Sequence, residues 1–221
     1  MNRYESLDRV KELGEQAADI RKKTVTVLGL GALGSTVAEL LARAGVNLRI
    51  IDKDRVLEQD IPLLSLYTME HCSKFKAKEA KKLLENINPD IKVKAFHEEL
   101  MQNNAYLVEA DAIIDCSNNF ETSLLANEAR KKTPIIYVRA GGVEGCALIL
   151  DETGVDAVKD FLEKHVSEYE EQGTLPSTIH LTASLAVNKT LKLLSGQRYE
   201  KNLLKVNGWK FSFDKVAVRK K

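Results

Sequence analysis

Three glycines, an aspartate and a run of lysines are the residues of this sequence whose types and spacing best suit chemistry. Gly29, Gly31 and Gly34 stand as Gly-x-Gly-x-x-Gly within Gly29-Leu30-Gly31-Ala32-Leu33-Gly34. In such a turn Gly29 permits the tight bend, Gly31 lets a phosphate approach the backbone, and Gly34 lets the next helix pack close to the preceding strand. Ala32 and Leu33 fall where that helix begins, and its unpaired N–H groups and partial positive charge suit an anion. Asp52 follows 18 residues after Gly34, where a carboxylate can accept hydrogen bonds from ribose hydroxyls. Lys74, Lys76 and Lys78 form a basic run that, by itself, reads as a solvated helix face.

The glycine pattern has meaning only if a strand enters it and a helix leaves it. Val25, Val27 and Leu28 supply the entering strand, and Ser35 to Ala44 has helical periodicity. Gly45 and a second apolar run, Leu48, Ile50 and Ile51, then lead to Asp52. The weakly patterned loop from Arg55 to Ser73 contains Pro62 and lies beyond the carboxyl end of a strand, the usual place for ligand-binding segments. Helices are expected over 74–86, 103–109 and 121–132, and strands over 91–100, 135–140 and 143–150. The wholly apolar Ala112-Ile113-Ile114 leads through Asp115 and Cys116 into Ser117-Asn118-Asn119, the pattern of a buried parallel strand ending in a polar loop. Charged amphipathic helices are expected over 3–22 and 152–172, a helix over 179–194, and a hairpin turning near Asn207-Gly208. The alternation predicts a Rossmann-like, doubly wound α/β fold with a mainly parallel sheet and antiparallel C-terminal strands. Residues 1–23 read as an N-terminal helix, 24–150 as the nucleotide-binding core, and 151–221 as elements completing the same domain.

Composition narrows the partners. The 221 residues are 44% hydrophobic, and 33 basic against 32 acidic side chains give a net charge of +1. That balance argues against nucleic acid or a membrane surface as the main partner. The charged N-terminus is unlike a signal peptide and no apolar run has membrane-spanning length, so a cytoplasmic location is expected. Cys72, Cys116 and Cys146 are far apart, giving neither zinc spacing nor a disulfide framework, and the histidines are scattered.

Read together and in order, GLGALG, IDKD, KFKAKEA followed by INPDIKV, DCSNNFET, GGVEG and TIHLTASLAVNKTLKLLSG resemble the ThiF/MoeB/HesA family. These are the bacterial and archaeal relatives of ubiquitin-activating enzymes, and the resemblance runs from Thr24 to Val218. It implies a homodimer that binds ATP and Mg²⁺, joins AMP to a carboxylate and releases pyrophosphate. It further implies that Gly29, Gly31, Ala32, Leu33 and Gly34 hold phosphate, that Asp52 holds the ribose and that Lys76 contacts the triphosphate. Lys53, Leu100, Cys116, Ser117 and Asn118 are implied as further nucleotide contacts.

The departures from the family pattern carry as much information. Leu63 stands where the family has a phosphate-binding arginine, Asp60 where it has an asparagine, and Asn118 where it has the metal-binding aspartate. An amide oxygen brings no charge, so the Mg²⁺ site at Asn118 is expected to be weakened. Arg139, near the carboxyl end of a strand where the family has a small residue, is the expected replacement for the missing phosphate arginine. The family's zinc cysteines have no counterpart, nor does a thioester-forming cysteine before Leu181, which leaves room for a downstream acceptor protein. These losses favour a small-molecule acid, such as the guanylylpyridinol carboxylate activated by the HcgE-like branch in [Fe]-hydrogenase cofactor biosynthesis. The alternatives are a ubiquitin-like sulfur-carrier protein, or a decayed scaffold that binds ATP without turning it over. The glycine fingerprint and Asp52 alone would favour an NAD-dependent oxidoreductase.

Overall fold

Apolar strands alternating with amphipathic helices bury both sheet faces when the strands run parallel and helices cover each side. The chain takes this form in the computed structural model, which describes residues 2–150, 155–165, 169 and 173–217. Eight strands form one sheet in the order β3-β2-β1-β4-β5-β6-β7-β8. They are β1 (Thr24–Leu28), β2 (Asn47–Ile51), β3 (Val93–Phe96), β4 (Ala112–Asp115), β5 (Ile135–Gly141), β6 (Glu144–Leu150), β7 (Leu203–Asn207) and β8 (Ser212–Val216). β1 to β5 pair in parallel, and β6, β7 and β8 add antiparallel. The expected sheet is thus observed, including the change of direction near its C-terminal end.

The helices are α1 (Glu5–Asp8), α2 (Ala17–Ile20), α3 (Ala32–Arg43), α4 (Lys76–Ile87), α5 (Phe120–Ala129), α6 (Val155–His165) and α7 (Pro176–Leu194). One core packs α3, α4 and α7 on one sheet face through Val37, Leu41, Ala80, Leu84, Ala183 and Val187. A second core packs α5 and α6 on the other face through Ala126, Val158, Phe161 and Leu162 against Tyr137 and Leu148. Connections leave β1 for β2 on one side, whereas β4 lies on the other. The crevice between them, at the carboxyl ends of the strands, is where this topology places ligands.

Several expectations need correction. The single helix over 3–22 is instead α1, a 3-10 turn at Gly14–Gln16, and α2. Gly14 has φ +53°, a left-handed conformation that interrupts helix propagation, and Val10 is exposed. β3 ends at Phe96 rather than Leu100, which frees Glu98, Glu99 and Leu100 to turn over the end of the sheet. The helix expected over 152–172 is described as α6; residues 151–154, 166–168 and 170–172 lie outside the described residues.

Candidate functional site

The glycine turn fits its neighbours so closely that side chains are excluded at two of its three positions. Gly29 has φ +78°, and a Cβ there would stand 2.8 Å from the Ser117 Cα. A Cβ on Gly34 would meet the Gly29 carbonyl oxygen at 1.8 Å, so α3 can approach β1 only because Gly34 has none. At Gly31 a Cβ would meet nothing within 4 Å, so that position faces open space, as the approach of a ligand to the backbone requires. Gly31 is the N-cap of α3, which has neither a side-chain cap nor an acidic residue in its first turn. The first N–H groups of α3, including those of Ala32 and Leu33, are therefore left to a ligand or solvent.

Asp52 ties this turn to β2. Its Oδ2 accepts from the Leu30 N–H at 2.6 Å and its Oδ1 from the Asp54 N–H at 2.7 Å. Burial raises the carboxyl above its ordinary pKa, while those two N–H donors and the charge of Lys76 act in the opposite direction. Each oxygen keeps a second lone pair, so the carboxylate can still accept from a hydroxyl.

A cavity of about 250 Å³ opens beside Asp52, bounded by Leu28, Gly29, Ile51, Lys53, Leu100 and the Ser117-Asn118-Asn119 loop. Of the residues expected at the site, Gly29, Asp52, Lys53, Leu100, Ser117 and Asn118 meet around this space. Asp54, Asn119 and Thr122, from the IDKD and DCSNNFET motifs, also line it, as do Glu98 and Glu99, which belong to no motif. Glu98 and Glu99 continue the alternating pattern of β3 but follow its carboxyl end, the position at which such sheets place ligand-binding residues. Lys53 is exposed and pairs with Glu99 at 2.6 Å. Asn118 is exposed at φ +49°, a conformation asparagine tolerates, and Asn119 caps α5 by accepting from the Thr122 N–H.

Lys76 opens α4 and is buried, contrary to the solvated face that composition suggests. Its Nζ stands 3.8 Å from Asp60 Oδ2, and its backbone carbonyl accepts from the buried Tyr67 hydroxyl at 3.2 Å. Lys76 does not line the cavity; its buried ammonium stands beside two carboxylates, Asp60 and Asp52, a pairing that a more highly charged anion can displace. Leu63, in the 3-10 turn Glu58–Leu63, brings no charge.

Two residues stand elsewhere than expected. Arg139 does not reach the crevice: its side chain is 1% exposed and bonded to Asp115 and Ser123 beneath the β4 loop. Cys116 does not line the cavity; it backs the glycine turn, its Cβ lying 3.3 Å from where a Gly34 Cβ would stand. Burial raises the thiols of Cys116 and Cys146, the latter to about 11, which suits neither to nucleophilic work at neutral pH.

The donor set for a divalent cation is thin. Asp115 is fully buried with both oxygens occupied, and the Asn119 amide oxygen is taken by Thr122. Among the described residues no group of three or more His, Cys, Asp or Glu side chains is placed to hold a metal. Asn118 fits such an ion only as a single oxygen ligand to a cation held chiefly by a nucleotide's phosphates.

An open α/β sheet whose strand order reverses beside a glycine turn and a terminal aspartate is a nucleotide-binding Rossmann-type fold. Within that class, the chain belongs to the ThiF family, whose model matches residues 4–221. It is 29% identical over 201 residues to the sulfur carrier protein ThiS adenylyltransferase of Bacillus subtilis, covering 86% of this chain and 60% of that protein. With the sulfur carrier protein adenylyltransferase of Thermus thermophilus it shares 32% over 133 residues, covering 58% of this chain and 49% of that protein. The chain thus spans between half and three fifths of those two relatives. It is also 28% identical over 225 residues to the vegetative HesA protein of Trichormus variabilis, covering 97% of this chain and 84% of that one. Among solved structures, E. coli MccB with AMPCPP and MccA superimposes with a TM-score of 0.82 at 16% identity, covering all of this chain and 72% of MccB. PaaA gives a TM-score of 0.77 at 20% identity, covering 92% and 75%. These two likenesses establish a shared fold. Among the described residues, no helix is long and apolar enough to cross a membrane.

Proposed function

We propose that this chain is an ATP-dependent adenylyltransferase that activates a carboxylate. The observation that carries the reading is Asp52 itself, which lines the cavity, is bonded to Leu30 beside the uncapped α3 N-terminus at Gly31, and feels the charge of buried Lys76. Membership in the ThiF family and the names of the Bacillus and Thermus relatives support it. In this reading the cavity beside Asp52 and Leu100 takes the nucleoside, with the ribose hydroxyls on Asp52. The phosphates run along the open face of Gly31 toward Lys76. Lys76 then exchanges its weak pairing with Asp60 for a phosphate oxygen.

The chemistry asks for no general base. The substrate's carboxylate is ionised at neutral pH. One of its oxygens forms a bond to the α-phosphorus, and the bond from that phosphorus to the β-phosphate's bridging oxygen breaks. An acyl-adenylate and pyrophosphate result, with no net proton transfer. The protein's part is to hold the two anions in line and to offset their charge. Mg²⁺, when it accompanies the nucleotide, supplies charge neutralisation, and Asn118 would contribute one oxygen to it.

The favoured substrate is a small-molecule acid, of the class to which a pyridinol carboxylate belongs, in a homodimeric enzyme. Burial of Cys116 and Cys146 supports it, because neither is placed to capture an activated carrier as a thioester. The length of the match to the ThiS adenylyltransferase favours a second reading, a sulfur-carrier protein's C-terminus. Exchange of labelled pyrophosphate into ATP, measured with small carboxylic acids and with a sulfur-carrier protein in parallel, separates the two. Exchange with neither, despite ATP binding, would leave a scaffold, and tighter binding of NAD than of ATP would point to an oxidoreductase.

A further inference from the structure

A guanidinium and a carboxylate meet out of reach of solvent beneath the β4 loop. Arg139 and Asp115 have side-chain exposures of 1% and 0% and stand 3.2 Å apart. Such a pair is tolerated when the remaining donors and acceptors are also satisfied. Asp115 Oδ2 accepts from Arg139 Nη2 and from the Ser123 hydroxyl. Asp115 Oδ1 accepts from the Ser117 N–H at 3.0 Å and the Ser117 hydroxyl at 2.6 Å. Arg139 Nη1 donates to the carbonyls of Asp115 at 3.0 Å and Val138 at 2.8 Å, and Nη2 also reaches Ser123 Oγ at 2.9 Å. Its Nε alone lacks a partner among the described residues.

The strand register makes this meeting possible. Asp115 pairs with Tyr137, so Arg139 lies one two-residue repeat further along β5 and its side chain returns to Asp115. From Ser117 the order passes outward. The Ser117 hydroxyl accepts from the Asn119 N–H at 3.4 Å, and Asn119 in turn caps α5. The Ser117 Cα also lies 2.8 Å from where a Gly29 Cβ would stand.

We infer that Arg139 is a positioning residue, which acts through Asp115 to set the Ser117-Asn118-Asn119 wall of the crevice and thereby nucleotide affinity. The inference rests on the nucleotide reading of the crevice given above. Arg139 touches no ligand. Without its charge Asp115 becomes an unpaired buried carboxylate, which must take up a proton or turn away, and either change alters the bonds that hold Ser117.

The test compares the wild-type chain with Arg139→Lys, Arg139→Met and the double variant Asp115→Asn with Arg139→Met, by amide hydrogen exchange and by ATP titration. In Arg139→Met the Ser117 and Thr122 amides should exchange about tenfold faster, and ATP should bind about tenfold more weakly, as expected for loss of a charged hydrogen bond. Exchange in β2 should stay unchanged, which a merely structural role would not produce. The double variant removes both charges while keeping an acceptor for Ser117, and should recover both quantities. If Arg139→Met does not fold, Arg139→Lys should show the same changes to a smaller degree, because an ammonium keeps the charge but cannot reach Asp115 Oδ2, the Ser123 hydroxyl and the carbonyls of Asp115 and Val138 together, as the planar fork does. A folded Arg139 variant with wild-type exchange at Ser117 and wild-type ATP affinity would overturn the inference, as would faster exchange spread evenly across the sheet. If the wild-type chain binds no ATP, the nucleotide reading fails, and exchange at Ser117 alone decides whether Arg139 fixes the loop.

Discussion

The crevice has two banks, and different forces hold them. On the β1 bank, Gly29 to Gly34 are shaped by close backbone approach, and Asp52 is fixed by the N–H groups of Leu30 and Asp54. On the β4 bank, Ser117 to Asn119 hang from a buried ion pair between neighbouring strands. The first bank has no room for added volume at Gly29 and Gly34 but depends little on distant charges. The second depends on charge balance in a place water does not reach. One binding site can therefore be damaged by two unrelated kinds of substitution.

The contrast is broken or sharpened by graded substitutions. The largest effect is expected at Asp115: Asp115→Ala leaves the Arg139 guanidinium buried without its counter-ion, and urea denaturation should show a loss of about 3–5 kcal/mol. Next is Lys76→Ala, which should lower acid-dependent pyrophosphate exchange by about 100- to 1000-fold, the scale for losing a charge-stabilising donor. Its stability should fall by no more than about 1 kcal/mol, since the Asp60 partner is partly exposed. Unchanged exchange in that variant would remove Lys76 from the site.

Within the β1 bank the glycines should separate. Gly34→Ala forces a Cβ onto the Gly29 carbonyl and should cost about 1–3 kcal/mol. Gly31→Ala meets open space and should change stability by less than about 0.5 kcal/mol while weakening ATP binding. Equal effects of the two on stability would contradict the division of labour between them.

The smallest effect on the site itself lies away from both banks, on α7. Lys189 is buried, donates to the carbonyls of Glu200 and Asn202, and has its pKa lowered by burial to about 8. Between pH 8 and 10.5 the unfolded chain, with an ordinary lysine, binds more protons than the folded one, so stability should rise with pH through that window. Discounted for solvent screening, the gain is on the order of 1 kcal/mol. It should vanish in Lys189→Met, with ATP affinity unaltered.

The same division explains what the sequence made legible. The glycine turn and Asp52 are local features whose spacing is tied to the strand–helix–strand unit, and the structure has that unit where the pattern set it. The mainly parallel sheet and its antiparallel ending followed from alternation and from the late hairpin. The Ser117 and Asn118 wall of the β4 bank was legible, but the ion pair beneath it was not, because Asp115 and Arg139 are 24 residues apart and only the strand register makes them partners. An arginine near a strand's carboxyl end could as well face the crevice as the core, and the choice is made by a buried carboxylate on the adjacent strand. Glu98 and Glu99 were hidden for another reason: their polar run continues the alternation of β3, although the sheet ends at Phe96. The N-terminal segment had helical periodicity throughout, but Gly14 in a left-handed conformation breaks it.

The central claim, that both banks together hold ATP for attack by a carboxylate, is tested most directly by pyrophosphate exchange. Labelled pyrophosphate should enter ATP only when an acceptable carboxylic acid is present, and the exchange should fall about 100- to 1000-fold in Lys76→Ala although that variant remains folded. ATP binding without exchange, across both small acids and a sulfur-carrier C-terminus, would contradict it.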